Sequence, residues 1–411
     1  LLAEACRKLE RPEVAANIFN QQIEAFPERP EPYLFLGIVQ HQQGEFEGAR
    51  HSFTRAQEIA PEELEPLQHL VSLDIQTKDY AAAHERVRSR IESGANLSSL
   101  YFLEGSIFVA KKEWNQAQLA LEKSIEISKG DSQALELLIS VYVTTNQLPE
   151  ALRRLEGVIT QRPGDTSAPL QAAALYEKIG EIEKAQGIYA DLLTQNADFV
   201  PALKGLANLY ANNIGDLEKA LKFASKARDL APFDPAIMDT LGWIYFKTGS
   251  YEAALGLIRE GADRLPNAPE IHYHLGMANL MMGRVDDARQ AFLRVDASPL
   301  SFPGKSEARI RLRFIGEDPE SKPHLSVAEI QEFLQQRPND PFATILMAEA
   351  YETVGAHLKA AEMAKVALDL NPVLTSAATL LARLYAGPLY DQNENANGLK
   401  FALTARELAP D

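Results

Sequence analysis

Alanine returns at Ala15, Ala49, Ala83, Ala117, Ala151 and Ala185, each 34 residues after the last. After a slip of one residue the beat continues at Ala220, Ala254 and Ala288, and after a further four it returns at Ala360. Proline keeps the same clock at Pro27, Pro61 and Pro163, then at Pro232 and Pro266, then at Pro338 and Pro372. A fixed period of this length marks a solenoid. Each period is one supersecondary unit that buries its apolar face only against its neighbours, so length needs no large central core.

Each position within a period has a physical reason. In residues 30–63, Tyr33, Leu36 and Gly37 share one face of a first helix, where glycine lets a partner helix approach. Gly44 is expected to end that helix in the left-handed conformation. Ala49, Phe53 and Ala56 face inward from a second helix at spacings of four and three, and Pro61 is read as the start of the next unit. Residues 235–268 repeat the pattern with Leu241, Gly242, Tyr245, Gly249, Tyr251, Ala254, Ile258, Gly261 and Pro266. Residues 341–374 do so with Tyr351, Gly355, Ala360, Ala367 and Pro372.

On these residues the chain resembles the tetratricopeptide-repeat family over essentially its whole length. The resemblance implies an all-α fold: an α-solenoid, a right-handed superhelix of about twelve helix–turn–helix units. The expected organisation is a regular array over 1–295 with its first unit clipped, an irregular segment or hinge over 296–325, and a continued, truncated array over 326–411. Asn212-Asn213-Ile214-Gly215 reads as one extra residue in an interhelix turn, and Gly387–Asn397 as four in the last such turn. In the irregular segment only a short helix is expected, around Glu307–Ile315. The chain opens on Leu1 without a leader and stops at Pro410-Asp411 without a capping helix, so it reads as a piece of a longer protein.

The net charge of −16 repels a phosphate backbone, which argues against nucleic acid as a partner. With Cys6 as the sole cysteine no intramolecular disulfide can form, which suits a cytoplasmic or a bacterial periplasmic setting alike. No run of 18 apolar residues exists, so no membrane insertion is expected.

No residues suggest catalysis, a metal or a cofactor. Pro303-Gly304-Lys305-Ser306 lacks the earlier glycine that a phosphate loop needs, since position 299 is proline. His272 and His274 are two apart on a helix and point in different directions, so one is expected to pack and the other to be exposed. Cys6 is read as a small core residue and Asn96-Leu97-Ser98 as a chance glycosylation sequon. Arg309, Arg311 and Arg313 are read as a solvated surface offset by Glu307, Glu317 and Asp318.

The resemblance places first helices on a concave face, with inward positions at Leu34, Ile38 and His41, at Phe102, Ser106 and Val109, at Asp239, Trp243 and Phe246, and at Tyr273, Met277 and Leu280. Trp243, Phe246, Tyr273 and Met277 would form an apolar strip across two adjacent units. Two readings stand: a binding strip of hot-spot residues, or filler between neighbouring units. Lys204 and Asn208 match the first pair of the family's carboxylate clamp. Thr240, Glu270 and His274 depart from the rest of it, so Lys204 and Asn208 are read as polar contacts of another kind.

The expected function is a non-enzymatic scaffold that binds a protein or peptide in the groove. One alternative is the recognition arm of a larger enzyme such as a glycosyltransferase, although the asparagine ladder of such arms is missing at the mapped positions. The other is a periplasmic scaffold in exopolysaccharide export. Asp239-Thr240-Leu241-Gly242-Trp243-Ile244-Tyr245-Phe246 and Tyr273-His274-Leu275-Gly276-Met277-Ala278 are similar to repeats of bacterial envelope proteins of that kind.

Overall fold

The structure, a computed structural model, describes residues 12–94, 97–129, 132–300, 302–318, 326–390 and 395–408. Cys6, Asn96 of the sequon and Pro410-Asp411 lie outside these, as do parts of the irregular segment and of the last interhelix turn. The described residues form 23 α-helices and no strand.

The chain divides into two compact units between Pro163 and Gly164. The first holds α1 (Pro12–Ala25), α2 (Pro30–Gln42), α3 (Phe46–Ile59), α4 (Glu65–Gln76), α5 (Tyr80–Glu92), α6 (Ser98–Lys111), α7 (Trp114–Ile127), α8 (Ser132–Thr144) and α9 (Leu148–Gln161). The second begins with α10 (Ser167–Ile179), α11 (Ile182–Gln195), α12 (Val200–Leu209), α13 (Leu217–Leu230), α14 (Pro235–Lys247), α15 (Tyr251–Arg264), α16 (Pro269–Met281) and α17 (Val285–Ala297). It continues with α18 (Pro303–Ile315), α19 (Val327–Gln336), α20 (Pro341–Thr353), α21 (His357–Leu370), α22 (Thr375–Ala386) and α23 (Asn395–Leu408). Within each unit, helix hairpins stack on their neighbours as an α-solenoid requires.

The alanine clock is the packing clock. All ten alanines of the beat, from Ala15 to Ala360, are 0 % exposed. They stand where two helices cross, and a larger side chain would push the pair apart. Ala151→Leu and Ala254→Leu are each expected to cost about 1–3 kcal/mol in chemical denaturation. An unchanged midpoint for both would contradict this packing.

Between the helices of a pair a left-handed residue recurs on the same beat: Gly44, Lys78, Lys112, Asn146, Gly180, Gly215, Gly249, Gly283 and Gly355. The prolines act otherwise than expected. They do not begin helices; Pro61, Pro232, Pro266 and Pro372 sit second in tight turns, closed by Glu63 N–H to Ala60, Asp234 to Ala231, Ala268 to Leu265 and Leu374 to Asn371. Their fixed φ suits that position. Other prolines begin helices, such as Pro235, Pro269 and Pro341.

Two further expectations are corrected. The residue inserted near Asn212 does not lengthen the turn but is absorbed in a π-helical turn, Tyr210–Ile214, that prolongs α12 and closes with Gly215 N–H on the Tyr210 carbonyl at 2.8 Å. The helix of the irregular segment begins four residues earlier than Glu307, because Pro303 serves as its first-turn residue.

The arginines of α18 divide. Arg309 and Arg313 are exposed, four apart on the outer face, but Arg311 is buried. Its Nε donates to Glu307 at 2.8 Å and its two Nη groups donate to Asp340, whose carboxylate also caps α20 by accepting from Ala343 N–H at 2.8 Å. Arg337 pairs with the other oxygen of Glu307, and both guanidiniums lie over the Phe333 ring at 5.1 and 5.0 Å. The second unit also folds back on itself: Asn371, fully buried after α21, donates to the Met281 carbonyl at the end of α16 at 2.6 Å.

Candidate functional site

First helices α12, α14 and α16 of the second unit line one groove, an open cavity of about 630 Å³. Lys204 and Asn208 reach it from α12, one turn apart, and the π-helical turn adds Asn212 to the same row. Lys247 steadies that turn, its Nζ donating to the Ala211 carbonyl at 2.9 Å, and burial pulls this ammonium below the usual lysine range. Neither Lys204 nor Asn208 is engaged in a side-chain hydrogen bond or ion pair among the described residues. The row is therefore a rail of unspent donors, and Asn208 and Asn212 also offer acceptors.

Opposite stands Trp243 of α14, half-buried. Its indole stacks on the Phe246 ring at 4.6 Å and 5°, and on the His274 imidazole of α16 at 4.0 Å and 18°. His274 is held there by Asp239, whose carboxylate oxygens lie 2.8 and 3.0 Å from Nδ1. The carboxylate fixes the ring as its Nδ1–H tautomer or as imidazolium. Glu270 and Glu177 stand at the edges. Burial raises the Glu177 carboxyl, partly opposed by the hydrogen bond that Tyr189 donates at 2.7 Å. Among the described residues no three metal-ligating side chains come together, and no helix is long and apolar enough to cross a membrane.

The structure gathers some expected residues and separates others. Trp243, Lys204 and Asn208 meet in the groove. Phe246 backs the indole and packs edge-on against Tyr251 at 5.3 Å. Tyr273 stays beside Trp243, ring centroids 5.9 Å apart, but wedges between α16 and α18 against Gly304 and Phe302, and burial pushes its hydroxyl up to about 12, with Glu307 adding to the shift. Met277 is 7 % exposed and belongs to the core, as do Leu280 and Leu34. Phe102 lies half-buried on α6 in the first unit and is not among the groove's lining residues, its carbonyl accepting from Ser106 Oγ at 2.8 Å.

Of the histidines, His272 packs as expected, 3 % exposed with Nε2 at 2.7 Å from the Pro266 carbonyl. His274 does not face solvent: Trp243 and Asp239 enclose it, leaving its side chain 12 % exposed. Thr240, which takes the place of a clamp asparagine, turns back to donate to the Ala236 carbonyl at 2.9 Å. Sequence reasoning missed Asn212 as a groove residue. The signal was its spacing of four from Asn208, which matters only once the insertion is helical.

Comparison with known proteins agrees with this architecture. Models described as tetratricopeptide repeat match residues 1–63 and 240–301, and 147–210. The chain is 26% identical over 162 residues to a tetratricopeptide repeat-containing protein of Pseudomonas aeruginosa, covering 38% of this chain and 27% of that one. It is 24% identical over 297 residues to cellulose synthase operon protein C of Pseudomonas fluorescens, covering 68% and 23%. Among solved structures it resembles the human IFIT1 dimer with m7Gppp-AAAA, at 13% identity and a TM-score of 0.45, over 96% of this chain and 95% of that one. The chain spans between about a quarter and a half of the length of the curated relatives it matches. A 34-residue beat that buries its alanines, helix hairpins stacked throughout both units, and matching repeat models lead to one conclusion: the chain is built of tetratricopeptide repeats.

Proposed function

We propose that this chain is a non-catalytic scaffold whose second unit captures an extended peptide of a partner protein in the α12–α14–α16 groove. Tetratricopeptide arrays are protein-interaction scaffolds, typically without catalysis. The single observation that carries the finer reading is the meeting, in one open cavity, of the Trp243 face with the unengaged row Lys204, Asn208 and Asn212. An aromatic or aliphatic side chain of the peptide lies against the indole, where a large rigid surface is buried at little entropic cost. The asparagines take its backbone amides, which a carboxamide can match as donor and acceptor.

Selection of peptides from a displayed library by the intact chain tests this. Selected sequences are expected to share an apolar or aromatic anchor, and Trp243→Ala to weaken them by about 2 kcal/mol or more, roughly thirtyfold, with the melting temperature nearly unchanged. Lys204→Ala with Asn208→Ala is expected to weaken them further. Tyr273→Ala is expected instead to lower the melting temperature, because its ring is a wedge in the core. Peptides indifferent to Trp243, or preferential capture of single-stranded RNA, would refute the reading.

A second reading, a scaffold in exopolysaccharide production, is supported by the similarity to cellulose synthase operon protein C. Protease protection of the full-length protein in intact cells tests it. An envelope scaffold is shielded until the outer barrier is opened, and release into the cytosolic fraction contradicts it.

A further inference from the structure

A second open cleft lies in the first unit, on the side of the second helices. It runs between α7 and α9 over Leu135 of α8 and measures about 750 Å³. Gly157 of α9 faces this open space: a β-carbon at that position would meet no atom within 4 Å. Its lining departs from the character of the chain. Lys123, Lys129, Arg153, Arg154 and Arg162 line it, against the carboxylates of Glu122 and Glu126, in a protein whose net charge is −16.

Those two carboxylates are spent internally. Glu126 pairs with Lys123 at 2.9 Å, while Glu122 accepts from Arg154 and, at 2.9 Å, from the Tyr142 hydroxyl. Lys129, Arg153 and Arg162 are left with charges that no carboxylate lining the cleft offsets. Apolar surface runs between the cations, with Val158 in the lining and Leu119 left 69 % exposed. Positive charge interleaved with aliphatic surface is the complement of an acidic segment with aliphatic side chains. The rest of an acidic chain repels such a segment, which focuses its encounter on this cleft.

We propose that the α7–α9 cleft is a docking site for an acidic, leucine-bearing segment of a partner protein. Its carboxylates pair with Arg153, Arg162 and Lys129, and an aliphatic side chain seats on Leu119 and Val158. The site shares no residue with the groove of the second unit and does not depend on the reading of that groove.

The test uses the intact chain and a fluorescein-labelled synthetic peptide alternating glutamate pairs with leucine, followed by anisotropy at low salt. Saturable binding is expected, weakened at least tenfold by the double change Arg153→Glu and Arg162→Glu, and weakened severalfold by Leu119→Ser. Raising the salt to about 0.5 M is expected to weaken it too, since the pairs are exposed to screening. The neutralising pair Arg153→Gln and Arg162→Gln, with melting recorded alongside, separates lost charge from lost folding. Absence of binding, binding indifferent to these arginines, equal binding of a glutamine–leucine peptide, or preference for vesicles of anionic lipid over the peptide would overturn the proposal.

Discussion

Arg311→Ala is expected to destabilise the second unit by about 3–5 kcal/mol, because it leaves two buried carboxylates without their shared cation. Glu307 and Asp340 are 8 % and 9 % exposed, and Arg311 bridges them from α18 to the start of α20. Glu307 keeps Arg337 and Asp340 keeps the Ala343 N–H, so the loss falls mainly on Asp340 and on the guanidinium stacked over Phe333. Arg311→Lys is expected to recover little, since a single ammonium cannot serve Glu307 and both oxygens of Asp340 in fork geometry. The combination Arg311→Met, Glu307→Leu and Asp340→Asn is expected to return most of the stability. It removes the buried charges together, and asparagine still caps the helix. Hydrogen exchange over residues 303–353 is the suitable readout, because stacked repeats need not unfold as one transition. A change of less than about 1 kcal/mol in local opening for Arg311→Ala would mean that water already serves these carboxylates.

The same arginine shows where sequence reading stops. Residues two apart on a helix are turned by about 200°, so Arg309 and Arg313 share one face and Arg311 lies opposite. Periodicity marks Arg311 as inward, but charge argues for solvent, and only Asp340, 29 residues on, resolves the conflict. Local periodicity made the solenoid legible, since the buried alanines and the glycine–aromatic contacts repeat within one unit length. Groove residues were legible only where the period was undisturbed. Trp243, Lys204 and Asn208 fell out of register counting, whereas Asn212 was hidden by an insertion that the chain absorbs as a π turn. Met277 was misplaced for a different reason. Where the second unit folds back, α16 packs against α20 and what would be open groove becomes core. That contact joins residues too far apart in sequence for any repeat pattern to announce it.

Gly276→Ala is expected to be destabilising in the native protein and stabilising once Phe292 is cut to alanine. A β-carbon at 276 would lie 2.4 Å from Phe292 Cε1 and 2.6 Å from its Cδ1, well inside contact distance. The ring is fully buried and has no solvent to turn into, so the single change should cost about 1–3 kcal/mol as overpacking. Phe292→Ala alone should cost about 3–5 kcal/mol through the cavity it leaves. In the double variant the new methyl enters that cavity, and alanine is about 1 kcal/mol better than glycine inside a helix. The cycle is therefore expected to show favourable coupling of about 2–4 kcal/mol between the two sites. The pair Gly242 and Ile258 provides the contrast. There a β-carbon would lie 2.6 Å from Ile258 Cγ1 but also 3.2 Å from the Ala254 carbonyl, which truncating the side chain does not move. Gly242→Ala with Ile258→Ala is thus expected to recover less than its counterpart. Equal recovery at both pairs would show that the backbones of α14 and α15 can part, and that the side chain at the crossing, rather than the backbone, sets the glycine requirement.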